Sequence, residues 1–184
     1  MIQLLAGLAL WSGAHALPRV APGLHARLGR AARGVVAVTV LLGLWLMIRG
    51  YGAQDAAPRF APAPWAWHLN NLMVLVAVYL FAASGMKTRA AAWLRHPQLL
   101  AVALWGGAHL LVNTHWAAGL LFGGLAVWAV AEMALLDARA QIAVAPAPAP
   151  VGREVAALLG AVAVFILIAL VHGWIGPNPF GAMS

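Results

Sequence analysis

The sequence predicts an all-α fold: a polytopic bundle of six transmembrane helices forming one membrane domain over residues 1–184. Three observations carry that prediction. Of 184 residues, 64% are hydrophobic and only 8% charged, too little polarity to clothe a soluble domain of this size. The charged residues fall between the apolar runs rather than within them. Crossing a bilayer takes about 20 apolar residues, with about 17 as a lower limit, and six stretches approach or exceed that length.

The first stretch is 1–17. Ala14-His15-Ala16 has the form of a signal-peptidase site, but Met1-Ile2-Gln3 supplies no basic n-region, so this segment reads as a retained helix. The second, 34–48, and the fourth, 97–112, are short and are expected to extend into their flanks. The third spans 69–86. Pro97 suits the first turn of the fourth helix, where a missing N–H costs nothing, and Arg95-His96 precede it at the interface. Asn113-Thr114-His115 allows only a tight hairpin before the fifth helix, 116–136. The sixth helix is 155–175. The Pro/Ala-rich segment 144–150 reads as an extended, solvated connector without function, and the tail with Pro177 and Pro179 as a short interfacial cap.

Orientation follows from the cations. The formal charge of +7 does not form a nucleic-acid patch, because the Lys and Arg residues sit singly or in short clusters at the ends of apolar runs. Of eleven, nine (Arg19, Arg27, Arg30, Arg33, Lys87, Arg89, Arg95, Arg139 and Arg153) lie in the odd-numbered loops, and only Arg49 and Arg59 in the even ones. Both termini are therefore expected outside the cytoplasm, which for a bacterial inner membrane means the periplasm. Trp65, Trp67, Trp93, Trp116 and Trp174 fit an interfacial aromatic belt. Glu132, within a turn of the cytoplasmic end of its helix, is expected to snorkel or pair with Arg139.

One motif occurs twice. Ala9-Leu10-Trp11-Ser12-Gly13-Ala14-His15 and Ala103-Leu104-Trp105-Gly106-Gly107-Ala108-His109 each place Trp and His four apart on one helical stripe, separated by small residues. Plain helix packing produces such patterns too. The copies lie on the first and fourth helices, three helices apart, so they run in opposite directions, and the chain divides into two candidate inverted three-helix halves. The remaining helices share no comparable motif.

With no cysteine, thiolate and iron–sulfur sites are excluded and any metal chemistry rests on the seven histidines. A buried imidazole is costly without a partner, which makes His15 and His109 candidate metal ligands, with Trp11 and Trp105 as flat walls beside them. Their depths differ by roughly 10 Å on a rise of about 1.5 Å per residue. That permits bis-His ligation of haem near the midplane. Zinc or copper would want further ligands, whereas haem supplies four nitrogens itself. His25 and His96 fall at the cytoplasmic surface; His68, His115 and His172 fall at the opposite edge, where they could converge on a second site or a substrate mouth. Asn113, one turn beyond His109, extends the Trp105–His109 stripe.

At these residues the chain resembles the NnrU family, which is related to the zeta-carotene isomerases. The resemblance rests on the first-helix His15, on Arg95-His96-Pro97-Gln98, and on Leu104-Trp105-x-x-Ala108-His109-Leu110 followed by Asn113, with His109 thirteen positions after His96. It covers most of the chain. It implies haem b ligated by His15 and His109, and an iron that acts on a cis double bond of a hydrophobic polyene such as 15-cis zeta-carotene, with an electron donor left unspecified. The isomerase branch continues its first-helix His with a Ser-Gly-type segment, where this chain has Ala16-Leu17-Pro18. The bacterial NnrU branch instead implies an accessory or redox role in nitrite and nitric oxide reduction. A weaker resemblance, through Arg-His-Pro followed by Leu-Trp and through Glu132, is to isoprenylcysteine-type methyltransferases, whose aromatic and basic C-terminal signature is missing here.

Overall fold

The computed structural model describes residues 1–55, 57–138, 149–176 and 178–180, and these contain helices and no strand. Six long helices are labelled α1 (Ile2–Val20), α2 (Ala32–Gly52), α3 (Pro64–Met86), α4 (Pro97–Val112), α5 (Trp116–Asp137) and α6 (Val151–Ile175). They fall on the six stretches read from the sequence. The second extends at both ends as expected, whereas α4 does not and stays at 16 residues. Pro64 and Pro97 occupy first-turn positions, and Lys87, at φ 52°, ends α3 in the left-handed region. Short helical turns occupy Pro22–Leu28, Gly29–Ala31 and Arg89–Trp93. Within α5, Gly119–Gly123 forms a π-turn.

The helices pack as a chain of neighbours in the order α2, α1, α5, α4, α3, α6. The closest approaches rest on glycine. A Cβ on Gly7 would lie 2.7 Å from the Gly43 carbonyl oxygen, and one on Gly50 would run into the Leu4 backbone, so α1 and α2 meet backbone to backbone. On Gly106 a Cβ would lie 2.5 Å from the Phe122 carbonyl oxygen, which brings α4 equally close to the π-turn of α5. The row curls, so that α6, which packs on α3, faces α1 across a cavity.

Large apolar side chains cover the outside. Val38, Leu41, Trp45 and Ile48 of α2 and Leu159, Leu167 and Leu170 of α6 are all exposed, an arrangement stable against lipid tails and not against water. Among the described residues, four helical stretches can cross a membrane by length and composition: Pro22–Gly52, which includes α2, and α3, α5 and α6. The sequence reading counted six. Helix α4 is too short, and α1 carries Gln3, His15, Pro18 and Arg19, yet both lie inside the row with protein on two sides. Shielding by neighbours relaxes the demand for apolar length there.

Alternating helix directions put Arg19, Arg27, Arg30, Arg33, Lys87, Arg89, Arg95 and Arg153 at one end of the bundle, the basic end, and Arg49 and Arg59 at the other. The α1–α2 and α4–α5 pairs correspond under the inverted-halves reading. The α3–α4 packing has no comparable α6–α1 counterpart, and the cavity lies between those two helices.

Ion pairs fasten the basic end. Arg19 donates to Glu132, which is buried at 4% exposure, so the cation facing this carboxylate comes from α1. The expected partner Arg139 lies outside the described residues. Arg95 and His96 both contact Asp137 Oδ1, at 3.1 and 2.9 Å, tying the entry of α4 to the exit of α5. Tyr79 donates to Glu154, and Arg89 donates from Nε to the Ala149 carbonyl at 2.9 Å. Ala149 is buried, so the end of the Pro/Ala segment packs instead of being solvated throughout; residues 144–148 lie outside the described residues.

Candidate functional site

The two Trp-x-x-x-His copies fold alike. His15 Nδ1 lies 2.8 Å from the Trp11 carbonyl oxygen, and His109 Nδ1 lies 2.9 Å from that of Trp105. A carbonyl only accepts, so each Nδ1 carries the proton and each Nε2 keeps its lone pair. Neither Nε2 has a hydrogen-bond partner among the described residues. Each histidine's own carbonyl is in turn held by a side chain four residues on: Arg19 donates to His15 O at 2.8 Å and Asn113 to His109 O at 2.9 Å. The preceding alanines, Ala14 and Ala108, are buried in both copies.

Their surroundings diverge. His15 packs between Trp11 at 4.6 Å and the edge of Trp128 at 4.9 Å. The indole N–H groups of Trp11 and Trp128 are buried without partners among the described residues, which leaves a polar deficit around this imidazole. His109 stacks on Phe122 at 4.5 Å and 26° and lies beside Trp105 at 4.8 Å. Phe122 belongs to the π-turn, a distortion that recurs at functional sites. The α5 partners of the two imidazoles, Phe122 and Trp128, are six residues apart, about 9 Å along the helix. That separation agrees with the depth expected from sequence.

His109, Trp105 and Trp11 line the cavity, whereas His15 sits behind Trp11 and does not. The cavity measures about 410 Å³, within the range of small-molecule sites, and its walls are mostly apolar. Its other polar lining comes from Asn70, Asn71 and His172. With its amide oriented to satisfy both ends, Asn70 donates to the Ala108 carbonyl at 3.0 Å, which joins α3 to α4 next to His109.

The remaining histidines separate. His68 is exposed on α3. His115 is buried under the hairpin, where its Nδ1 accepts from Ala118 N–H; its Nε2 therefore carries the proton and donates to the Tyr51 hydroxyl oxygen at 3.1 Å. His115 thus serves as a helix cap and does not join His172 in one site. The hairpin is held further by Thr114, which donates to the Phe60 carbonyl at 2.9 Å. Among the described residues no group of three or more His, Asp or Glu is placed to hold a bare metal ion. Sequence reasoning missed Phe122, Trp128, Asn70 and Asn71. The Gly119, Gly123 and Gly124 run was the available signal for a close approach on α5.

A family model described as NnrU protein matches residues 3–179. No curated protein and no solved structure matches the chain.

Proposed function

Since the chain belongs to the NnrU family over nearly its whole length, we propose that it is a haem b-binding protein of the bacterial inner membrane, with both termini periplasmic. His15 and His109 are the metal ligands in this reading, and Trp11 and Trp105 are the aromatic walls of the cofactor site. The observation that carries it is the pair of imidazoles with Nδ1–H locked to an i−4 carbonyl and Nε2 unengaged. Metal-ligating histidines are oriented in this way. The donor chemistry fits haem, which needs only two protein ligands, and it does not fit a bare metal ion.

Haem, when bound, would supply four nitrogens and an iron that changes oxidation state. The chain's own residues do the rest. The Trp105 and Trp11 carbonyls fix the imidazole tautomers, and Arg19 and Asn113 hold the turns that carry them. The apolar cavity keeps water from the site, and the gap between α1 and α6 admits a hydrophobic molecule from the bilayer. On this reading the substrate is a hydrophobic polyene and the reaction a cis-trans isomerisation. No acid–base residue is needed for it.

A second reading, a redox accessory to nitrite or nitric oxide reduction, is favoured by the completeness of the imidazole pair, since two ligands saturate the iron. Spectroscopy of the purified protein tests both. Reduced-minus-oxidised spectra are expected to show sharp low-spin haem b bands, and their absence would sink either reading and favour the methyltransferase resemblance. Carbon monoxide binding to the reduced protein indicates an iron open to substrate, followed by turnover of a cis-polyene; refusal of carbon monoxide indicates electron transfer.

A further inference from the structure

The cavity has one polar end. Asn71 and His172 line it on the side of the bundle away from the basic loops, His172 three residues before the end of α6 and Asn71 two turns into α3. From there the walls run toward the basic end through Val74, Val78, Phe81 and Phe165, all apolar. Asn71 to Phe81 is about 15 Å along the helix, half the roughly 30 Å of a bilayer's hydrocarbon core. A polyene long enough to cross that core therefore enters by one end only, and the form of the cavity calls for an apolar body with a single polar terminus.

The polar end also limits what that terminus is. The Asn71 amide meets the Asn70 amide at 3.0 Å, and whichever way that contact runs at least one Asn71 N–H remains. The His172 imidazole has no hydrogen-bond partner among the described residues and, when neutral, offers one N–H. Among the described residues no Lys or Arg lines the cavity, and Arg59, a cation at this end of the bundle, lies instead over the Trp116 ring at 4.0 Å. A carboxylate brought here would lose its water without a compensating charge. A neutral hydroxyl or carbonyl needs only the hydrogen bonds these two side chains supply, and a pure hydrocarbon leaves them unused.

Resting on the reading of this cavity as the place where a hydrophobic polyene enters, we propose that its ligand is a polyene with a neutral oxygen at one end. Asn71 and His172 bind that oxygen, and the apolar chain runs along α3 toward Phe81. Binding of this kind does not depend on haem.

The test uses a series on one polyene skeleton: all-trans-retinol, retinal, retinoate at alkaline pH, and the hydrocarbon axerophtene, which carries hydrogen in place of the retinol hydroxyl. Affinities are measured on the solubilised full chain. Wild type is expected to hold retinol and retinal roughly tenfold more tightly than axerophtene, and retinoate less tightly than retinol. Asn71→Leu and His172→Leu should each shrink that preference severalfold while axerophtene binds as before, which separates a lost hydrogen bond from a lost fold. Val78→Trp, which fills the apolar run, should weaken every member of the series by about tenfold. The exposed Leu170→Ala should change none of them. Equal affinity for retinol and axerophtene overturns the assignment, as does full preference kept in both leucine variants, and so does retinoate bound most tightly. If no member of the series binds, this inference falls together with the polyene substrate. A preference found in protein that shows no haem bands sustains it while the haem reading fails.

Discussion

His15 and His109 share a local structure down to the atom that each ring nitrogen faces, yet one lies behind an indole and the other on the wall of a cavity. The shared part is the i, i+4 arithmetic of a helix: Trp carbonyl to imidazole N–H, and histidine carbonyl to a donor four residues on. The difference comes from the neighbours. Helix α1 presses against Trp128 in regular helix, while α4 meets α5 at the π-turn, where Gly106 lets the backbones touch. Identical motifs thus present unequal imidazoles, one held within packed aromatics and one on the wall of the cavity.

That inequality can be broken experimentally. On the proposed haem assignment, the largest expected effect is on cofactor retention. His109→Ala should lose most of the haem on purification, because the cavity-side bond goes with it, while His15→Ala should keep haem in a high-spin, five-coordinate state. Pyridine-haemochrome content and the Soret position check both, and wild-type spectra in both variants would refute the ligand assignment. Next comes packing. Gly106→Ala forces a methyl group to 2.5 Å from the Phe122 carbonyl and should cost about 1–3 kcal/mol in denaturant unfolding of the solubilised protein. Gly13→Ala, with nothing within 4 Å of its Cβ, should be neutral or stabilising by up to about 1 kcal/mol. If the two alanines cost the same, the close α4–α5 contact is not what holds the His109 side together. A smaller cost than that of Gly106→Ala is expected from Asn113→Ala, which removes one side-chain bond to His109 O and should lower stability by about 1 kcal/mol on the same measurement.

The number of helices and the Trp-x-x-x-His geometry were legible in the sequence, because hydropathy and i, i+4 spacing are local properties. Pro97 marked the first turn of α4, and Asn113-Thr114-His115 marked the hairpin. Partners distant in the chain were not legible. Glu132 finds Arg19 because α1 packs beside α5, and nothing in either helix announces that. His115 and His172 looked alike as interfacial histidines, but one faces Tyr51 and the other the cavity, since α2 and α6 lie at opposite ends of the row. The cavity is equally non-local. It exists because α6 packs along α3 and leaves its other side unmatched.

That arrangement bears on how the protein is made. Helix α6 emerges from the ribosome after the other five, and its seating on α3, secured by Tyr79 with Glu154 and by Arg89 with Ala149, is the step that gives the cavity its last wall. Before that step the cavity face bearing Trp105 and His109 lacks its α6 wall. On the proposed haem assignment, filling of the site and docking of the final helix are coupled stages of biogenesis, and a defect in either should appear as a failure of the other.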